Sequence, residues 1–237
     1  MKMSLFDQLA PLVAQCMAAH DPSHNPAHVH RVVALARTIL AAESSSSSTA
    51  YDPTVVDLAA LLHDIADRKY FSTVTATIST FASSSTTALP AADALTPHNL
   101  VREILRAHGA DTALADRVQT IVSHVSYSTE RADPAAVRAL IENGYPELAI
   151  VQDADRLDAI GAVGIGRCFT FLGAKGKDFL PADAAWEMDN ALEHFSDKLE
   201  KLEGMMKTST GRRMARERTR RLGEFRRWWD EEIQMLT

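Results

Sequence analysis

Residues 51–67 read YDPTVVDLAALLHDIAD. Asp52-Pro53 opens a helix, an apolar run follows, and His63-Asp64 sits at its end. Adjacent residues on a helix point about 100° apart, so both side chains can reach one ion lying off the axis. A neutral imidazole and a carboxylate are good ligands for a first-row divalent cation. The dipeptide alone is a weak signal, because such pairs arise by chance.

Helical periodicity continues on both sides. Leu5, Leu9, Leu12, Val13 and Cys16 share one face of a first helix. Asn25-Pro26 supplies an N-cap and a first helical proline for a second, whose apolar side carries Val29, Val32, Val33, Ala36 and Ile39. The serine run Ser44–Ser48 reads as a flexible loop, and the Ser/Thr/Ala-rich stretch 72–97 as an irregular insertion. Two amphipathic helices follow near 98–108 and 112–126, divided at His108-Gly109. Asp133-Pro134 opens a short helix ended by Asn143-Gly144, and Pro146 opens PELAIVQDADRLDAI. The glycine-spaced GAVGIGRCFTFLGAKG predicts a buried helix packed closely on a neighbour. HFSDKLEKLEGMM and ERTRRLGEFRRWWDEEIQML predict a C-terminal pair of long amphipathic helices. No strand pattern or repeat appears, so the expected fold class is all-α. The expected division is a principal domain over 1–180 and a C-terminal extension, 181–237, packed on it.

With 46% hydrophobic residues, the chain can bury a substantial core. A net charge of −6 argues against a protein that coats a nucleic acid polymer, but permits a small anionic substrate. Cys16 and Cys168 lack CxxC spacing and read as reduced, partly buried thiols. No stretch approaches the ~20 apolar residues of a membrane span, and residues 1–20 show no signal peptide. A soluble, cytoplasmic protein is expected.

Two further features strengthen the metal reading. His28 lies one turn before Arg31 in HNPAHVHRV, and VQDADRLDAIG places an acidic cluster inside an apolar helix, with Asp155 and Asp158 on one face. Buried carboxylates need a cation or hydrogen bonds to offset the desolvation cost.

The order H…HD…D, with the strings HVHRV, LLHDIADRKY, IVQDADRLDAIGAVGIGRCF and HFSDKLEKLEGMMKTSTGRRMARER, resembles the HD superfamily of metal-dependent phosphohydrolases, in its nucleotide pyrophosphohydrolase-like branch. The resemblance covers nearly the whole chain. It implies His28, His63, Asp64 and Asp155 as ligands of one divalent ion, with Asp153 the second choice in the acidic cluster. Mn²⁺ is the expected ion, with Fe, Co, Ni, Zn or Mg as alternatives. It also implies Asp67, four residues after His63, as general base or acid, and His124 as a substrate-facing histidine. Arg31 and Lys69 are candidates to neutralise phosphate charge, or else ordinary ion-pair partners; Lys198 is a weaker candidate. The run Arg212, Arg213, Arg216, Arg218 reads as a solvated helix face. His98, with His124, leaves room for a second metal.

The chain departs from the family pattern in two places. His24-Asn25-Pro26 stands where many relatives read His-Asp-Trp, which leaves the entrance to the second helix open, and the 72–97 insertion is longer than usual. The expected substrate is a phosphorylated small molecule, a nucleoside triphosphate or related nucleotide, cut to monophosphate and pyrophosphate. Rival readings are a phosphomonoesterase, a cyclic phosphodiesterase, a diiron oxygenase, or a nucleotide-sensing module without turnover. The Trp228-Trp229 pair and the amphipathic tail would suit either a homo-oligomer interface or a cap on the core.

Overall fold

The computed structural model describes residues 3–18, 20–21, 23–67, 71–84, 91–176 and 187–235, with side chains omitted at 81–84 and 92. Among these residues the structure is helical and without strands. The first four helices are α1 (Leu5–Met17), α2 (Pro26–Ser46), α3 (Pro53–Leu62) and α4 (Phe71–Ser84). Then come α5 (Leu100–Ala107), α6 (Thr112–Val125), α7 (Tyr127–Ala132), α8 (Pro134–Glu142) and α9 (Glu147–Asp158). The chain closes with α10 (Gly161–Lys175), α11 (Asp189–Asp197), a 3-10 segment over Leu199–Met205, and α12 (Ser209–Gln234).

The centre is α3, buried at seven of its ten residues. It packs against α1, α2, α6 and α9. The helix needs no polar face because neighbours surround it, which explains its continuous apolar run. Its start is held by Asp52, whose carboxylate accepts from the amides of Thr54 and Val55. Asn25 caps α2 in the same way, accepting from Ala27 and His28, so the altered entrance still launches that helix. No single helix among the described residues is long and apolar enough to cross a membrane.

Several expectations need correction. The serine run is not a loop from its start: α2 continues to Ser46, with the Ser45 and Ser46 hydroxyls donating to the carbonyls of Ala41 and Ala42. Glu43 anchors this last turn, buried and accepting from the amide of Thr210 at 2.7 Å. The stretch after residue 71 is a helix as well. Phe71, Val74 and Ile78 recur at helical spacing, Val74 and Ile78 are buried, and α4 packs on α1. Thr75, Thr77, Ser79 and Thr80 turn their hydroxyls back onto helix carbonyls, so their polarity hid the pattern.

α10 buries only one stripe, Gly161, Gly164, Cys168 and Leu172, and leaves Val163 45% exposed, so it is not a fully buried helix. The C-terminal pair has one long member. HFSDKLEKLEGMM breaks at Lys198 (φ −136°, ψ −56°) and proceeds as a 3-10 segment, on which Leu199 and Leu202, three apart, both point inward. The Trp228-Trp229 pair divides: Trp229 joins Phe169 and Phe225, whereas Trp228 is 52% exposed.

α9 and α10 meet at 70°. Gly161 makes the bend with φ +75°, a conformation side chains with a Cβ rarely adopt. At Gly164 an added Cβ would strike the backbone carbonyl of Ala159, whereas at Gly166 it would meet nothing within 4 Å. Gly164→Ala should therefore destabilise the protein by about 1–3 kcal/mol. Gly166→Ala should stabilise it by about 0.5–1 kcal/mol. Urea denaturation of both variants checks the pair, and equal shifts would rule out the close approach.

Candidate metal centre

Three helix ends converge on one point. His28 lies in the first turn of α2, His63 is the C-cap of α3 with Asp64 in the turn beyond, and Asp155 comes from the last turn of α9. One donor atom each from His28, His63 and Asp64 can be chosen within 4.8 Å of one another. His28 Nε2 and His63 Nε2 stand 3.1 Å apart, with Asp64 Oδ2 at 3.2 and 3.3 Å from them. Asp155 Oδ1 completes the group at 3.7 and 3.9 Å from the same two nitrogens.

The outward nitrogens fix the rings. His63 Nδ1 meets the Ala60 carbonyl at 2.9 Å, and His28 Nδ1 meets Asp158 Oδ2 at 2.8 Å. Both partners are acceptors, so both Nδ1 atoms carry protons, and in the neutral form that a metal requires the Nε2 lone pairs face inward. Lone pairs 3.1 Å apart beside a carboxylate repel unless a proton or cation lies among them. Asp64 Oδ2 is also buried with no hydrogen-bond partner among the described residues. This donor set fits a divalent first-row ion, for which two imidazoles and two carboxylates are suitable ligands.

Asp158 is the residue the sequence reading left without a role. It is buried and accepts from Arg31 Nε at 2.7 Å and Arg167 Nη1 at 2.9 Å as well as from His28. Burial opposes its ionisation, but His28, Arg31 and Arg167 hold it well below the usual carboxylate range. The signal was its position on the same face as Asp155; Arg167 had none. Arg31 is thus paired with Asp158, with 34% of its side chain exposed. Asp153 points elsewhere: fully buried, it accepts from the amides of Lys207 and Thr208 and from the Thr208 hydroxyl, capping the approach to α12.

His63 and Asp64 open into a cleft of about 510 Å³, lined also by Asp67, His98, Ser123, Ser126, Ser128 and Thr129. Asp67 reaches it by an unexpected route. α3 ends at Leu62, and the chain passes through turns bonded Ile65 N to Leu62 O and Asp67 N to Asp64 O. Asp67 is therefore not one helical turn beyond His63. His124 donates from Nδ1 to the Thr120 carbonyl at 2.7 Å and is not part of the cleft lining, which its neighbour Ser123 joins instead. Lys198 lies 5.0 Å over the Tyr127 ring and is not part of the cleft lining. Lys69 lies outside the described residues.

The HD-domain family model matches residues 27–160, a span that contains all four converging side chains. The chain belongs to the HD-domain family. This HD-domain protein is 33% identical over 227 residues to YpgQ of Bacillus subtilis (strain 168), covering 96% of this chain and 93% of that one. It superimposes on the crystal structure of YpgQ with a TM-score of 0.66 at 31% identity, over 97% and 95% of the chains. The structure of YpgQ in complex with ADP matches with a TM-score of 0.63 at 30% identity, over 96% and 94%. An HD-superfamily hydrolase from Bacillus thuringiensis shares the fold at 23% identity and a TM-score of 0.61, over 97% and 96%.

Three outcomes follow from this geometry. His63→Ala and Asp64→Ala should each abolish bound metal by elemental analysis while circular dichroism stays helical; full occupancy in either would remove them from the ligand set. Asp158→Asn should weaken metal affinity by about 10- to 100-fold, because His28 loses its orienting partner. The third concerns pH. In the metal-free protein, burial favours a neutral His63, but Asp64 and Asp155 outweigh it and raise its pKa to about 9. A metal needs the deprotonated nitrogen. Binding at neutral pH should therefore release a proton, and affinity should climb with pH until about 9. Calorimetry in buffers of different ionisation enthalpy measures that proton directly.

Proposed function

We propose that this HD-domain protein is a metal-dependent phosphohydrolase that cleaves nucleoside triphosphates, or related nucleotides, to a monophosphate and pyrophosphate. The observation that carries the reading is that His63 and Asp64 share one cleft with Asp67 and a wall of hydroxyl groups. The likeness to YpgQ, whose structure was solved with ADP, supports a nucleotide as the ligand class.

In this reading His28, His63, Asp64 and Asp155 hold one divalent cation, with Mn²⁺ the assigned ion. When bound, such an ion lowers the pKa of water and polarises a phosphoryl oxygen. Asp67 accepts the proton of the attacking water as its oxygen bonds to the α-phosphorus. The bond from that phosphorus to the bridging oxygen breaks, and pyrophosphate leaves. Ser123 and Ser128, in the cleft wall, donate to phosphate oxygens. Lys198, stacked over Tyr127, is assigned to substrate charge on its chemistry alone. Lys69, two residues after Asp67, is assigned to substrate charge on its chemistry alone.

The test is a nucleotide panel with Mn²⁺-loaded protein and product identification by phosphorus NMR. Monophosphate plus pyrophosphate is expected. Release of inorganic phosphate alone would make it a phosphomonoesterase, and a ring-opened product from cyclic nucleotides a phosphodiesterase. Asp67→Asn should keep its metal and lose about 10²–10⁴-fold in rate. If it loses the metal instead, Asp67 supports the ion and is not the base.

A further inference from the structure

A cavity larger than the metal cleft lies elsewhere among the described residues. It measures about 960 Å³, against about 510 Å³ for the cleft holding His63 and Asp64, and the two share no lining residue. Its walls come from the end of α2, the connection into α3, α7, α8, the turn before α9, and the start of α12. α7 borders both sites, Ser128 and Thr129 lining the cleft and Glu130 and Arg131 this cavity. Asp155 and Asp158 serve the metal side of α9, whereas Asp153 and Arg156 bond Thr208, Lys207, Met205 and Glu130, all four of which line this second cavity.

Its charge is unbalanced. Arg131, Arg138 and Arg212 line it, and none of the three forms an ion pair with a carboxylate among the described residues. By contrast Arg37, Arg117 and Arg226 are each paired. The wall's own carboxylates are mostly committed: Glu43 accepts from the Thr210 amide, and Glu130 from Lys207 and Arg156. Glu142, exposed at the rim, is the remaining one. Lys207 also lines the cavity, and burial, with Arg156 beside it, pushes its pKa below the ordinary lysine value. Between these cations lie the half-buried Tyr51, Ile141 and Pro146.

We propose that this cavity is a second ligand site, separate from the metal centre, for a nucleoside phosphate. Guanidinium groups pair with phosphate oxygens, which Arg138 can do freely, Arg131 from over the Tyr127 ring and Arg212 beside its bonds to the Met206 and Lys207 carbonyls, while Tyr51, Ile141 and Pro146 supply apolar lining for the ring. The site does not depend on the hydrolytic reading, because it uses none of the metal ligands.

The test separates the two sites by binding alone. A His63→Ala/Asp64→Ala protein in EDTA is titrated calorimetrically with a nucleoside triphosphate carrying a methylene bridge between its α- and β-phosphates. The expected result is one equivalent bound, with adenosine failing to bind. Adding Arg131→Glu and Arg138→Glu should lower the affinity at least tenfold, while metal content in the otherwise wild-type background stays full. Arg131→Ala/Arg138→Ala serves if the charge reversals disturb folding by circular dichroism, and should weaken binding in the same direction. No binding to the metal-site variant, or affinity unmoved by either arginine pair, would overturn the proposal. Equal binding of adenosine would reduce the cavity to an apolar groove and overturn it too. Absence of hydrolysis by the metal-loaded wild-type protein, with this binding intact, would count against the proposed function and leave the second site standing.

Discussion

A single buried carboxylate organises the centre of this protein. Asp158 stands at the end of α9 and accepts from His28, Arg31 and Arg167, residues drawn from α2 and α10. Two guanidinium groups keep it ionised where burial would otherwise protonate it. Its charge in turn holds the Nδ1 proton of His28, so that Nε2 presents a lone pair to Asp64, Asp155 and His63. α2 and α9 pack against each other, and this anchor fixes the ring of His28 where their ends meet.

The opposite face of α9 is tied with equal care. Asp153 takes three hydrogen bonds from the entry to α12, and Gly211 sits so close that any Cβ there would collide with that carboxylate. Arg156 reaches Glu130 and the Met205 carbonyl. The acidic cluster of one helix thus divides its work: Asp155 faces the proposed ion, Asp158 the ligand that needs orienting, and Asp153 the final helix. These fixed interactions explain how so many polar groups are tolerated in a helix buried almost throughout.

Much of this was legible in the sequence. The capping pairs Asn25-Pro26 and Asp52-Pro53 announced α2 and α3 by local hydrogen bonding, His63-Asp64 stood out by type, and the family resemblance joined His28 and Asp155 to them. What the sequence concealed depends on tertiary partners. α4 was hidden because threonine and serine hydroxyls satisfy themselves on their own helix, leaving Val74 and Ile78 as the only strong marks. Glu43 extends α2 into a serine run through a bond to a residue far along the chain. Arg31, open in the sequence between phosphate contact and ion pairing, is tied to Asp158 by a residue far along the chain. The break at Lys198 reflects an inward 3-10 register that charge alternation disguised.

The placement of the four ligands has a consequence for how the protein comes into being. His28 and His63 are made early, but the groups that complete and orient the centre, Asp155, Asp158 and Arg167, follow long after, and Thr208 and Gly211 must arrive before Asp153 can lock α9 in place. Under the proposed ligand assignment, a chain synthesised only through α8 carries three of the four ligands, and the set is complete once α9 brings Asp155.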